Sequence, residues 1–256
     1  MGYCMGLVKL RYEIKAQMWY RKSFLYRRRL LSNEGHLGAG VEVDYGGYSI
    51  SKMIDKDLLF IHIPKCAGTT INTSLFSCLG GGHLRAIEYR AMLGRTQFNN
   101  LHKFTVIRDP WERLYSAYRH LRGGADRSRQ IRNSKLRSLV ELDFSGFVMG
   151  LNYHLIYLTE LVIKPQFLFL SERFCPKKIL LDKIYIQSQV DPVIMKYGGV
   201  ALQKNNSSGP PMDRNEIYTP ALVKRVASLY PEDVELYAKV SNYTSDVQNE
   251  SISRVE

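Results

Sequence analysis

The stretch LLFIHIPKCAGTTINTSLF, Leu58 to Phe76, constrains the fold more than any other part of the chain. Its apolar opening, Leu58–Ile63, is bounded by Pro64 and reads as a buried strand. Thr69 to about Leu79 reads as a helix, with Thr69 placed to cap it and Gly80-Gly81-Gly82 to end it. Between them lies Lys65-Cys66-Ala67-Gly68-Thr69-Thr70. Gly68 lets backbone N–H groups approach a ligand closely. The first turn of a helix offers unpaired N–H donors and a partial positive charge. The two threonine hydroxyls add donors, and Lys65 adds a full charge. Such a loop can cradle a phosphate-like anion. Taken alone, it reads equally well as a strand-to-helix turn with a surface lysine. It is not an NTPase loop, which needs G-x-x-x-x-G-K-[ST]; here the lysine precedes the glycine.

The rest of the chain repeats the strand–helix theme. Glu88–Leu93 reads as helical, Phe104–Ile107 as a second buried strand, and Asp109-Pro110 opens a helix over Trp111 to about Leu121. Residues 122–138 form a polar, Arg-rich insertion. Phe144–Leu161 reads as helical, Ile179–Ile186 as holding a third strand, Asn205–Met212 as a loop, and Thr219–Val240 as a final helix broken in rhythm at Pro231. This alternation argues for an α/β fold with a central parallel sheet flanked by helices. The expected organisation is a basic N-terminal extension, residues 1–50, and a single domain over 51–256.

The second informative stretch is FTVIRDPWERLYSAYRHL, Phe104 to Leu121. Arg108 stands at a strand end and Ser116 eight residues on, about two helical turns along. A strand-end arginine and a helix serine can converge on one phosphate, the first with a bidentate permanent charge, the second with a directed hydrogen bond. The competing reading makes structural ion pairs of Arg108-Asp109 and Glu112-Arg113, a better fit for Arg113 than for Arg108.

FIHIPKCAGTT and VIRDPWERLYSAY, in that order, resemble the two nucleotide-binding motifs of the sulfotransferases that use 3′-phosphoadenosine 5′-phosphosulfate (PAPS), and among them the carbohydrate group related to the chondroitin and heparan sulfate enzymes. KPQFLFL, KNNSS and YTPALVKRVASLYPEDVELY are weaker echoes, so the resemblance spans roughly residues 57 to 240. It implies a P-loop-like three-layer fold. It also implies that Lys65, Cys66, Ala67, Gly68, Thr69 and Thr70 hold the 5′-phosphosulfate, that Arg108 and Ser116 hold the 3′-phosphate, and that the loop at Lys204–Ser207, with Asn205 and Ser207, closes over the nucleotide. PAPS is then the co-substrate. Sulfuryl transfer needs an in-line acceptor oxygen and stabilisation of charge on the leaving nucleotide, a task for Lys65. No metal is required, and the sequence has no ligand cluster.

An acceptor hydroxyl also needs a base, and histidine suits neutral pH. Of six histidines, His62 alternates with apolar neighbours and reads as structural. His83, in GGGHLRAIEYRAML, stands between the two motifs, where related enzymes carry a catalytic histidine; it is the candidate base, with Glu88 as the alternative. Many relatives carry a Glu-Asn pair after the late strand, where this chain has Gln187 and Gln189.

The net charge of +12 favours an anionic partner over a neutral one. That suits a glycan acceptor, polysaccharide or glycolipid; a small hydroxylated metabolite is the alternative. A nucleic-acid-binding or other non-catalytic role would leave Arg108 and Ser116 without a specific task. The segment Leu10–Leu31 can form a helix with an aromatic face and a basic face, for weak contact with a membrane surface or for packing on the domain with its charges in water. The four cysteines, Cys4, Cys66, Cys78 and Cys175, form no C-x-x-C pair and read as reduced thiols. No apolar run approaches the roughly 20 residues of a membrane span, and the N-terminus has no signal-peptide core, so a cytoplasmic protein is expected.

Overall fold

The computed structural model describes residues 50–78, 83–123, 131–172, 178–200 and 213–252. The expected N-terminal extension (save Ile50), the loop at 204–208, and Cys4 and Cys175 lie outside these residues.

Three short strands, β1 (Leu58–Phe60), β2 (His102–Ile107) and β3 (Lys183–Ile186), form a parallel sheet in the order β1-β2-β3. The register pairs Phe60 with Phe104 and Ile107 with Ile186. β1 and the last five residues of β2 are buried, which fits the continuous apolar runs expected of parallel strands covered on both faces. β1 stops short of the expected Ile63. The Ile61 N–H still reaches the Phe104 carbonyl at 2.9 Å, but the Ile61 carbonyl accepts from the Thr105 hydroxyl at 2.7 Å, so a side chain ends the ladder.

Helices surround the sheet. In chain order they are α1 (Ser51–Ile54), α2 (Gly68–Phe76), α3 (Ala86–Leu93), α4 (Arg95–Asn100), α5 (Pro110–Gly123), α6 (Ser134–Glu141), α7 (Phe144–Gly150), α8 (Tyr153–Leu158), α9 (Phe167–Leu170), α10 (Val190–Lys196), α11 (Arg214–Ile217), α12 (Pro220–Leu229) and α13 (Pro231–Ile252). The apolar stretch expected as one helix over Phe144–Leu161 is two, because Asn152 turns the chain and caps α8 through the Leu155 N–H at 3.1 Å. The final helix breaks at Pro231, which cannot continue α12 and opens α13 instead.

Two cores result. One lies around the sheet and joins Leu59, Phe60, Phe104 and Ile107 to Ile71 and Leu75 of α2, Tyr89 of α3 and Ile194 of α10. The other is helical and joins Trp111 and Leu114 of α5 to Phe147 of α7, Ile156 of α8 and Val226 of α12. α13 packs against β3, α5 and α9 and so spans both. In open α/β sheets, ligands bind outside the carboxyl ends of the strands, here the turns that follow β1 and β2.

Candidate functional site

The turn after β1 carries two non-glycine residues in the left-handed region, Lys65 (φ 69°) and Ala67 (φ 59°). Each costs about 1 kcal/mol or more, a strain retained where surrounding structure over-determines it. α2 begins at Gly68, with Ala67 as its cap residue and no side-chain cap. Thr69 is therefore not the cap expected from the sequence; it lies with Thr70 inside the first turn. The first intrahelical bond is Ile71 N–H to the Ala67 carbonyl at 3.2 Å, so the N–H groups of Gly68, Thr69 and Thr70 remain available to a ligand. α2 ends at Phe76 on left-handed Ser77, before the three glycines expected to stop it.

Gly68 has a second reason to be glycine. A Cβ there would stand 1.8 Å from the His62 ring, which packs directly over the backbone. His62 is buried and stacks on Phe60 at 5.9 Å between ring centroids. The His83 ring lies 4.2 Å from that of His62, and His83 Nδ1 is 3.3 Å from the His62 carbonyl oxygen. His83 itself has a positive φ of 28°. The structural histidine and the candidate base thus form one aromatic unit seated on the anion loop. Glu88, the alternative base, is occupied as a helix-capping group: its carboxylate accepts from the Arg85 N–H at 2.7 Å and from Arg85 Nε at 2.8 Å.

Positive charge gathers at this end of the sheet. Burial lowers the Lys65 pKa, and Arg108, Arg113 and Arg119 lower it further. The Lys65 ammonium has no hydrogen-bond or ion-pair partner among the described residues. Arg108 follows β2 and its Nε lies 3.2 Å from Glu112 Oε2; its two terminal nitrogens make no hydrogen bond or ion pair among the described residues. Ser116 lies one turn beyond Glu112 on the same face of α5, half-buried, and Arg119 one turn further.

The ion pairing is the reverse of the sequence reading. Arg108, not Arg113, pairs with Glu112. Arg113 is buried and donates from Nε to the Pro64 carbonyl at 3.0 Å and from Nη1 to the Lys164 carbonyl at 2.8 Å. Sequence reasoning missed Gln166 and Asp233 as well. Gln166 is buried and bonded to Cys66 and to the Arg108 backbone; Asp233 is buried and accepts from the Gln166 and Phe167 N–H groups at 2.8 and 3.0 Å. Their signal was faint: one amide in the run KPQFLFL, and one of two acids in the first turn of a helix. Cys66 is buried, and burial pushes its thiol up to about 11, so it is an inert part of the turn rather than a nucleophile. Gln189 accepts from the Ile186 N–H at 3.1 Å, a turn-closing role at the end of β3.

Lys65, Gly68, Thr69, Thr70, Arg108 and Ser116 therefore share the carboxyl end of the sheet, with His83 reaching it through His62. Asn205 and Ser207 lie outside the described residues. What the arrangement can do is hold an anion at two separated cationic points. Comparisons with curated proteins and with solved structures found no match. Residues 53–155 match the model of the sulfotransferase family. That segment runs from before β1 through α5 into α8 and contains both turns and His83; the match supports a sulfotransferase, an enzyme that transfers sulfuryl groups.

Proposed function

We propose that the protein transfers the sulfuryl group of PAPS to a hydroxyl of a carbohydrate acceptor, polysaccharide or glycolipid. The observation that carries this reading is the pair of cationic anchors at the ends of adjacent strands, Lys65 with the N-terminus of α2, and Arg108 with Ser116. A nucleotide phosphorylated at both the 5′ and 3′ positions presents two anions at a fixed spacing and uses both anchors; a plain adenylate uses one.

In this reading the first turn of α2 and Lys65 hold the 5′-phosphosulfate, and Arg108 and Ser116 hold the 3′-phosphate. The acceptor oxygen attacks sulfur in line with the bridging oxygen. The new S–O bond forms as the old one breaks, its electrons pass to the 5′-phosphate, and Lys65 and the helix N-terminus stabilise the charge that arrives there. His83 takes the hydroxyl proton. With Nδ1–H donated to the His62 carbonyl, Nε2 carries the lone pair and is the basic nitrogen. The basic composition supports an acidic or already sulfated acceptor chain.

The test is transfer from radiolabelled PAPS across a panel of acidic polysaccharides, neutral polysaccharides, glycolipids and small hydroxylated metabolites. Label in a glycan supports the reading. Label confined to small hydroxylated compounds replaces the acceptor and keeps the chemistry.

A further inference from the structure

We propose that Gln166 is a positioning residue that fixes the spacing between the Lys65 turn and Arg108. The proposal rests on the reading of those two groups as the donor's anchors. Gln166 is 1% exposed, and its amide joins both anchors at once. Nε2 donates to the Arg108 carbonyl at 2.8 Å, and Oε1 accepts from the Arg108 N–H at 3.0 Å. The same Oε1 accepts from the Cys66 thiol at 3.2 Å, one residue past Lys65.

The paired bonds to Arg108 resemble a step of β-ladder. They occur just where β2 runs out of strand partner, since the β2–β3 register ends at Ile107 with Ile186. A side-chain amide thus holds the backbone of the strand-end arginine in place of a neighbouring strand. Packing alone does not call for an amide at this position. A buried amide is costly unless bonded, and this one spends its bonds on the two turns that bear the anchors.

The segment 164–167 acts as a base plate under both turns. Arg113 ties the Lys164 carbonyl to the Pro64 carbonyl, the residue before Lys65. Asp233, from the first turn of α13, holds the Gln166 and Phe167 N–H groups and so fixes the backbone from which the amide projects. One short segment is therefore bonded to residues 66 and 108 directly and to residue 64 through Arg113. A bisphosphate spanning two anchors is sensitive to their spacing, and a displacement of about 1 Å can cost a hundredfold. A monophosphate bound at one anchor is not.

Gln166→Leu removes all three bonds at similar volume. Gln166→Met removes the same bonds with an uncharged, unbranched side chain of similar length, and serves if the leucine variant does not fold. Each is titrated with 3′-phosphoadenosine 5′-phosphate and with AMP, after thermal unfolding has shown it folded. The expected result is a ten- to hundredfold loss for the bisphosphate with less than about a threefold change for AMP, in either variant. Added to Arg108→Ala, Gln166→Leu costs the bisphosphate little more, because the anchor it positions is already gone. A preference for the bisphosphate that survives both substitutions, or equal weakening of both nucleotides, overturns the proposal alone. Absence of that preference in the wild-type protein overturns the donor reading, and the proposal with it.

Discussion

Lys65→Met should abolish most turnover and leave the protein slightly more stable. The substitution keeps the stem length and removes the charge. On the catalytic side, a preorganised group aimed at developing charge contributes about 2.7–4 kcal/mol, so turnover should fall by about 10²–10³. On the stability side, the ammonium is desolvated, faces the charges of Arg108, Arg113 and Arg119, and has no acceptor among the described residues. Its pKa is lowered, so folding works against its charged form at every pH below that pKa, and removing the charge relieves the penalty. The side chain is only half-buried. Solvent screening therefore limits the gain to about 0.5–1 kcal/mol, or a rise of about 1–4 °C in Tm for a chain of this size. Methionine inherits the left-handed φ of 69°, so that strain does not change between the variants. The assay pairs turnover on labelled PAPS with thermal unfolding at low and high salt, and the gain in Tm should shrink at high salt. Retained turnover, or a Tm that falls, would refute the reasoning.

Arg108→Ala should cost the 3′,5′-bisphosphate about 1.5–3 kcal/mol, roughly ten- to hundredfold, and AMP almost nothing; equal losses by calorimetry contradict a 3′-phosphate role. His83→Asn should lower turnover by about 10²–10⁴ with donor affinity unchanged; unaltered turnover transfers the role to Glu88 or His102, although His102 lies at the opposite end of β2 and hydrogen-bonds Tyr197 at 2.9 Å. Asp233 is fully buried, and burial raises its pKa to about 6 from 3.8. The folded state then holds this proton more tightly than the unfolded state, so stability should rise as pH falls from about 7 toward 4, by on the order of 2–3 kcal/mol. Glu172, held at about 2 by Lys178 and Arg90, acts in the opposite direction below about pH 5, because the unfolded chain takes up its proton first, so the Asp233 effect is read between about pH 7 and 5. Asp233→Asn should remove it, and identical pH–Tm slopes for the two proteins contradict the assignment.

The parts of the fold set by local sequence were legible. The apolar runs before Pro64 and Arg108 marked β1 and β2, Pro110 marked a helix start, and Pro231 marked the break in the last helical run. The residue types of Lys65, Gly68 and Arg108 were also enough to raise an anion site at the two turns as an expectation. Features set by long-range packing were not. Gly68 reads from sequence as ligand access, but its missing Cβ also admits the His62 ring. Arg113 reads as an i,i−1 partner of Glu112, but it reaches backbone carbonyls 49 and 51 residues away. Gln166 and Asp233 act on backbone atoms, and no spacing rule points to such contacts. The cap of α2 was misplaced because a left-handed Ala67 starts the helix one residue before Thr69, and alanine carries no signal for that conformation.

Calorimetric titration of the wild-type protein with 3′-phosphoadenosine 5′-phosphate, beside AMP at the same ionic strength, bears most directly on the two-anchor donor site. Tight binding of the bisphosphate and binding of AMP weaker by ten- to hundredfold is the predicted result. Equal affinity for the two nucleotides would contradict it, since Arg108 and Ser116 would then have no part in holding the donor.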